Sequence, residues 1–304
     1  MQIEKLLQVD GHAITTYHWP QPGARRVMVI AHGMAEHAAR YDDFARFLNQ
    51  HDCEVWALDH RGHGQSVQHG RLGHFADTEG WKKVVGDLVC LLTHVRRHSP
   101  GLPVVLFGHS MGSFVARSLV LAEPELTNGL ILSATGFRQS ALARVMAGIA
   151  AVSGRSSGWD QPSALMRKLV FGTFNLRFVP SRTTFDWLSR VPEEVDAYLA
   201  DPMAGFDCSA GLWRDLFLGI VEMETREARE SGLPDIPVWL LAGSHDPVSM
   251  GGKGCKQLAD RYQAAGLHDV SVTIYPQGRH EMLNERNRAE VYADFAAWLD
   301  KRFT

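Results

Sequence analysis

One serine lies between two glycines in the stretch Gly108-His109-Ser110-Met111-Gly112, which matches the pattern G-x-S-x-G. The pattern follows the apolar run VVLF, typical of a buried strand, and precedes SFVARSLV, which has helical spacing. Small residues on both sides allow a strand to turn sharply into a helix, and such a turn exposes the serine hydroxyl as a nucleophile. The alternative is that the two glycines merely form a turn.

A serine hydroxyl reacts only when a base takes its proton, and the base needs an acid that fixes its tautomer. Two later segments supply candidates: Ser244-His245-Asp246 follows the apolar run VWLLAG, and His280 follows VTIYPQGR. The loops after parallel strands meet at one edge of a sheet, and the order Ser, Asp, His matches that of α/β-hydrolases. We therefore predict Ser110 as nucleophile, Asp246 as acid and His280 as base. The alternatives are a turn aspartate and a loop histidine.

The oxyanion of an acyl-transfer intermediate needs two hydrogen-bond donors. The backbone N–H of Met111, the residue after the candidate nucleophile, is expected to be one of them. The segment VIAHGMAEH supplies the other, because His32-Gly33 turns the chain and leaves the Met34 N–H directed inward. The alternative is that the His-Gly pair merely ends a strand.

The elements that must position these residues alternate between short β-branched runs and helical stretches. Strand-like runs occur at 26–33, 54–64, 104–110, 129–136, 237–247 and 270–281. This alternation indicates an α/β protein, and with the motifs it predicts an α/β-hydrolase fold. We expect a mostly parallel central sheet with helices on both faces.

The alternation stops between about 137 and 233, where helix-like segments rich in Phe and Trp replace it. A connection of roughly a hundred residues is far longer than an ordinary strand–helix–strand crossover. We therefore predict a helical cap (lid) at 137–232, inserted into a core domain formed by 1–136 and 233–304.

Composition limits the partners and the compartment. The 304 residues have a formal net charge of -3 and contain no Lys/Arg run, so nucleic acid is not an expected partner. Four scattered cysteines without a CxxC pair indicate free thiols and a cytoplasmic protein. The N-terminal stretch lacks the apolar core of a signal peptide. Histidines 60, 63, 69 and 74 lack the i, i+4 spacing of a helical zinc motif, so neither metal nor cofactor is expected.

Five motifs together resemble those of the monoglyceride lipase and lysophospholipase family of α/β-hydrolases. They are HGMAEHAARY, LDHRGHGQS, GHSMGS, GSHDP and GRHEMLNE, and the resemblance covers about 10–136 and 233–304. It implies that Ser110, Asp246 and His280 form the triad and that Met34 and Met111 are the oxyanion donors. His32 and Gly33 would shape that hole beside the substrate, and Asp59 to Ser66 would form a structural loop.

The chain departs from this resemblance at three places. Met34-Ala35 replaces the Ala-Gly of mammalian monoglyceride lipases, Ser113 replaces a common glycine, and Ser249 replaces a pocket cysteine. These changes concern the pocket rather than the mechanism. The cap is only loosely comparable with the family.

These observations predict a serine hydrolase that cleaves carboxylic esters of lipid-like substrates, monoacylglycerol or lysophospholipid, through an acyl-enzyme. One alternative is a serine aminopeptidase of the proline iminopeptidase type, in which cap acids such as Glu193, Glu194 and Asp196 would bind the amino terminus. Another is a non-catalytic homologue that binds a ligand. The expected partner is a small lipid-like ester, with transient contact between the cap and a membrane surface, and the oligomeric state stays open.

Overall fold

The computed structural model describes residues 1–229 and 234–304. Its strands are β1 (Gln2–Leu7), β2 (Ala13–Trp19), β3 (Arg26–Ala31), β4 (Cys53–Leu58), β5 (Val104–His109), β6 (Gly129–Ser133), β7 (Val238–Gly243) and β8 (Val270–Tyr275). They form one sheet in the order β1-β2-β4-β3-β5-β6-β7-β8. The pairs β1–β2 and β2–β4 are antiparallel, and the other pairs are parallel. The predicted mostly parallel sheet is confirmed.

Helices cover both faces of this sheet. They are α1 (Asp42–Asn49), α2 (Gly80–His98), α3 (Met111–Ala122), α4 (Ser140–Ser157), α5 (Ala164–Phe174), α6 (Pro192–Ala200), α7 (Ala210–Arg229), α8 (Lys253–Ala264) and α9 (Arg288–Arg302). One core contains α1 and α9, and the other contains α2, α3 and α8. In β3, Val27 and Val29 face one core while Met28 and Ile30 face the other. A strand covered on both sides is apolar throughout, which is why its sequence does not alternate.

The N-terminal hairpin is an addition that the sequence interpretation missed. Strand β1 lies at the edge of the sheet and pairs with β2 from Gln2 opposite His18 to Leu7 opposite Ala13. Five of its six residues are exposed, and the strand carries Glu4 and Lys5. Charged edge strands resist pairing with other molecules but lack the apolar pattern of a core strand.

The region predicted as a cap contains α4 to α7. Its described residues form no strand, only an isolated bridge between Pro162 and Ser209. Helix α7 packs against α4, but also against α2 and α3. A buried ion pair joins α3 to α7, with 2.6 Å between Arg117 Nη2 and Glu227 Oε2. The division into core and cap stays a prediction, and its second boundary, at 232/233, lies outside the described residues.

Candidate active site

The sheet order creates a crevice between β3 and β5. From β3 the chain passes to β4 on one side, and it then returns to β5 on the other side. Connections that diverge in this way leave a cleft at the carboxyl ends of the two strands, where open α/β sheets bind ligands. The residues that follow these strands are His32-Gly33 and Ser110. A Cβ atom added at Gly33 would lie 3.4 Å from the Cβ of Ser110, so the two loops face each other.

Ser110 occupies a sharp turn between β5 and α3. Its φ of 51° and ψ of -118° are unusual for a residue with a side chain, and such strain costs on the order of 1–3 kcal/mol. The strand and helix approach so closely that a Cβ at Gly112 would overlap the carbonyl oxygen of Ala31. The Ser110 carbonyl accepts hydrogen bonds from the N–H and hydroxyl of Ser113, at 2.9 and 2.6 Å. The turn therefore holds Ser110 at the cleft, half-buried, at the amino end of a helix.

Asp246 and His280 follow β7 and β8 and contact each other. Asp246 Oδ1 lies 2.7 Å from His280 Nδ1. The carboxylate also accepts the backbone N–H groups of Val248 and Ser249, each at 3.0 Å. Burial opposes ionisation of Asp246, but the His280 ring and these hydrogen bonds outweigh it and lower its pKa. An ionised Asp246 places the imidazole proton on Nδ1 and leaves Nε2 free to accept a proton.

Two aromatic rings from distant parts of the chain pack against His280. The ring of His109, next to Ser110, lies 4.8 Å from that of His280, and the ring of Trp187 lies at the same distance. Burial, and secondarily His280, lowers the pKa of His109 to about 3, so His109 is neutral near pH 7. The His280 N–H also donates to the Trp187 carbonyl at 3.3 Å. The sequence interpretation missed the contact with Trp187.

His32 fixes the orientation of the predicted oxyanion donor at Met34. The His60 N–H donates to His32 Nε2 at 3.0 Å, so the His32 proton resides on Nδ1, which donates to the Gly33 carbonyl at 2.7 Å. In a planar trans peptide, the Met34 N–H points opposite to that carbonyl. Burial lowers the pKa of His32 well below its usual value, which preserves this neutral form. Among the described residues, neither the Met34 nor the Met111 N–H has an acceptor.

A buried charged cluster joins the loop after β3 to the loop that carries His280. Arg40 donates to both oxygens of Glu281, at 2.9 and 2.8 Å, and to Glu36 at 2.6 Å. Burial opposes ionisation of Glu281, but the Arg40 charge outweighs it and lowers the pKa of Glu281 to about 2. Glu36 in turn accepts the Gly33 N–H. All three residues lie inside the quoted motifs, but the sequence offered no signal of their pairing.

The segment Asp59 to Ser66 lies beside this site as a tightly bonded loop. Asp59 accepts hydrogen bonds from the Ala38 and Gln65 N–H groups, at 2.8 and 2.7 Å, and from the Tyr17 hydroxyl at 3.0 Å. The ring of His60 packs 4.4 Å from that of His32. These contacts connect the loop to the turn after β3.

A group with metal-ligand spacing, which the sequence interpretation did not single out, lies elsewhere on the sheet. It is the only such group among residues 1–229 and 234–304, and it comprises His18, Glu54 and His98. Glu54 already accepts hydrogen bonds from His18, Trp56 and Ser99, at 2.7, 2.9 and 2.7 Å. These bonds account for its burial without an ion.

An α/β-hydrolase is defined here by three features: the strand order, the strained Ser110 turn at the crevice between β3 and β5, and the loops after β7 and β8 that carry Asp246 and His280. Residues 22–287 match the family described as "Serine aminopeptidase, S33", and the chain belongs to this family. The match covers most of the chain.

Individual relatives are named for ester hydrolysis. The chain is 30% identical to a monoacylglycerol lipase of Mycolicibacterium smegmatis, over 96% of this chain and 94% of that one. It is 28% identical to the human monoglyceride lipase, over 98% and 90% of the two chains. The structure of a highly thermostable carboxyl esterase from Bacillus coagulans in complex with glycerol superposes with a TM-score of 0.89, at 26% identity, over 100% and 99% of the chains. The resemblance to monoglyceride lipases is confirmed.

Proposed function

We propose that this protein is a serine hydrolase that cleaves carboxylic esters of lipid-like substrates, monoacylglycerol or lysophospholipid, through an acyl-enzyme. The observation that carries the proposal is the strained Ser110 turn at the switch point, together with the 2.7 Å Asp246–His280 contact. The same three residues are the proposed catalytic triad, and no cofactor is required for this chemistry.

The reaction begins when His280 Nε2 takes the proton of the Ser110 hydroxyl and the oxygen attacks the ester carbonyl. The negative oxygen of the tetrahedral intermediate accepts hydrogen bonds from the Met34 and Met111 N–H groups. His280 then returns its proton to the leaving alcohol. Water, activated by the same histidine, hydrolyses the acyl-Ser110 ester and restores the enzyme.

The acidic side chains do not favour the aminopeptidase alternative. In the cap, Glu194 pairs with Arg288 at 2.9 Å and Asp196 pairs with Arg182 at 2.6 Å. Near Ser110, Glu36 and Glu281 share Arg40. A peptidase that binds a free amino terminus needs a carboxylate available to the ammonium group. Each of these four carboxylates already has an arginine partner, which supports an ester without an amino terminus. Of the three cap acids, only Glu193 is exposed without an ion pair among the described residues.

Aromatic side chains of the cap form an apolar wall beside His280. The rings of Phe171 and Phe174 lie 5.6 and 5.1 Å from that of Trp187, which contacts His280. Phe171 and Phe174 are only half-buried. We infer that an acyl chain attached to Ser110 packs along this wall, because apolar surface is removed from water there.

Catalytic efficiency should therefore rise with acyl length. Each buried methylene contributes about 0.8 kcal/mol, so four extra carbons gain roughly 3 kcal/mol, or on the order of a hundredfold. We expect kcat/KM to increase from p-nitrophenyl acetate through butyrate to octanoate. Hydrolysis rates of 1-monooleoylglycerol, lysophosphatidylcholine and proline-p-nitroanilide, measured under the same conditions, show which leaving group the enzyme prefers.

The outcomes separate the three functions. A preference for acetate contradicts a lipid-like substrate, and cleavage of the anilide alone supports the aminopeptidase. Failure of a fluorophosphonate probe to label Ser110, with no ester cleaved, supports the ligand-binding homologue. Labelling at Ser110 with cleavage of the octanoate ester supports our proposal.

The first part of the cap has the features of a surface that contacts lipid. Residues 137–179 contain six basic side chains, Arg138, Arg144, Arg155, Arg167, Lys168 and Arg177, and one acid, Asp160. Exposed apolar side chains lie on the same segment: Leu142, Val145, Val152, Leu165, Leu169, Leu176 and Val179. No helix among the described residues is long and apolar enough to cross a bilayer. We propose that this segment contacts an anionic membrane surface transiently.

This contact should be measurable with vesicles. We expect flotation of the protein with phosphatidylglycerol-containing vesicles, and less with pure phosphatidylcholine, because basic side chains are attracted to anionic lipid. The double substitution Leu142→Asp and Val145→Asp should reduce flotation severalfold, since it adds charge to an apolar face. The double substitution Leu7→Asp and Val9→Asp, at exposed positions of the N-terminal hairpin, adds the same charge and is the matched control. Equal flotation of the two variants would contradict a cap contact.

A cytoplasmic location is also a proposal. All four cysteines are free, and Cys53, Cys208 and Cys255 are buried. Free thiols of this kind suit a reducing compartment. Fractionation of the producing cells, with the protein followed by antibody, tests this location, and recovery outside the cytoplasm would contradict it.

A further inference from the structure

The loop that carries the proposed oxyanion donor is bonded to one segment of the cap. We call residues 33–37 the oxyanion loop and residues 198–205 the clamp segment. The Tyr198 hydroxyl donates to the Ala35 carbonyl at 2.8 Å, and the Gly205 N–H donates to the same oxygen at 2.9 Å. A third contact, 2.7 Å long, joins His37 Nε2 to Asp201 Oδ2.

These contacts hold Ala35 in a strained conformation. Its φ is 54°, in the left-handed region that residues with a Cβ rarely adopt. The residue is fully buried, and its carbonyl accepts two hydrogen bonds from the clamp segment. Strained residues persist only where their surroundings determine the conformation. At Ala35 that surrounding is the clamp segment.

The strain at Ala35 bears on Met34 because fixed peptide planes lie on both sides of these two residues. His32 Nδ1 holds the Gly33 carbonyl and so orients the peptide that contains the Met34 N–H. Tyr198 and Gly205 hold the peptide group between residues 35 and 36, because both donate to the Ala35 carbonyl. If the second plane is released, only the His32 bond still fixes the Met34 N–H. The freed dihedral angles of Met34 and Ala35 then let this N–H deviate further from its direction.

The ring of Tyr198 is itself held by the charged cluster. Arg40 lies over its face, 4.9 Å from the ring centre, and Arg40 also binds Glu281, the neighbour of His280. Tyr198 is 4% exposed. One tyrosine therefore contacts both the oxyanion loop and the arginine that joins that loop to the His280 loop.

We propose that Tyr198 is a positioning residue: its hydroxyl, through the Ala35 carbonyl, holds the Met34 N–H in the direction of the oxyanion. The inference rests on the proposed esterase function and assigns to the cap a part in catalysis besides substrate selection. Asp201, through His37, supports the same loop. Neither residue contacts the reacting atoms.

Tyr198→Phe tests the inference because it keeps the ring over Arg40 and removes only the hydroxyl. Loss of a complete oxyanion donor lowers kcat by about 10²–10³-fold, and a misdirected donor should lower it by roughly ten- to a hundredfold. We expect KM for p-nitrophenyl butyrate to change little, since the ground-state ester gains little from the oxyanion hole. Binding of a trifluoromethyl ketone, which forms a tetrahedral adduct on Ser110, should weaken by the same factor as kcat/KM.

Tyr262→Phe is the matched control. The Tyr262 hydroxyl is also buried and donates to Glu227 at 2.9 Å, but it contacts no residue of the oxyanion loop. Both variants lose one buried hydrogen bond, and Tyr262→Phe loses the stronger one because its acceptor is a carboxylate. Thermal stability should therefore fall at least as much in Tyr262→Phe, while only Tyr198→Phe loses kcat. If Tyr198→Phe does not fold, Asp201→Asn replaces it, with an expected loss of a few fold in kcat.

The results distinguish the inference from the function on which it rests. If the wild type is active and Tyr198→Phe has an unchanged kcat, the positioning role is overturned but the proposed function is not. The same holds if Tyr198→Phe and Tyr262→Phe lose kcat equally. A wild type that cleaves no ester and is not labelled at Ser110 overturns the proposed function. The pH profile adds a further criterion: because Tyr198 contacts neither Asp246 nor His280, the acid limb of kcat/KM should not move in Tyr198→Phe, and a displaced limb counts against the inference.

Discussion

Ser110→Ala should reduce kcat for p-nitrophenyl esters by about 10⁴-fold or more. Without the hydroxyl no acyl-enzyme forms, and only the acceleration from the proposed oxyanion donors and substrate binding is left, roughly 10³–10⁴-fold over water. Alanine is smaller than serine, so the 51° φ of this position is no harder to maintain. Steady-state kinetics, with circular dichroism and thermal unfolding to verify the fold, measure the effect.

Ser118→Ala is the matched control for this substitution. Ser118 lies on the same helix, α3, and its hydroxyl has no hydrogen-bond partner among the described residues. We expect full activity and full fluorophosphonate labelling in Ser118→Ala and neither in Ser110→Ala. More than a few per cent of wild-type activity in Ser110→Ala would show that another residue is the nucleophile.

The central strands were predictable because burial on both faces leaves a local signal. Strand β3, RVMVIA, is buried throughout, and its apolar run marks it without any knowledge of its partners. The exposed strand β1, QIEKLL, has no comparable signal. Its pairing with β2 depends on a partner that local sequence does not specify.

The proposed site likewise contains residues that the sequence predicts and residues that it does not. Ser110, Asp246 and His280 each follow a recognisable strand, so topology alone brings them to one edge of the sheet. Trp187 and Tyr198 come from the segment predicted as the cap, where no periodic sequence pattern indicates which ring faces the cleft. Their contacts with His280 and Ala35 span about a hundred residues or more of sequence, and only the packed chain shows them.

If Asp246 has the proposed role, the pH profile of kcat/KM for the wild type should show one main acid limb. The pKa of Asp246 is lowered below its usual value, that of Glu281 is about 2 and that of His109 is about 3, so none of these groups titrates between pH 5 and 8. Histidine is the side chain that changes charge in this range, and it must be neutral to act as the base. Activity should therefore fall as the pH decreases from 8 to 5, with one main ionisation. A second ionisation, at the acid end of this range, would report Glu36, which accepts the Gly33 N–H and whose pKa is raised by burial.

Asp246→Asn should lower kcat by about 10³–10⁴-fold with little change in KM. The amide has no charge to stabilise the His280 imidazolium that forms during attack. The amide also has only one acceptor oxygen, whereas the Asp246 carboxylate accepts hydrogen bonds from three donors, on His280, Val248 and Ser249. If the amide nitrogen faces His280, the proton moves to Nε2 and the ring no longer accepts from Ser110.

Asp294→Asn is the matched control and should keep full activity. The Asp294 carboxylate accepts the Tyr275 hydroxyl at 2.7 Å. Retention of more than a tenth of kcat in Asp246→Asn would mean that His280 acts without this carboxylate, and the triad would then need a different acid.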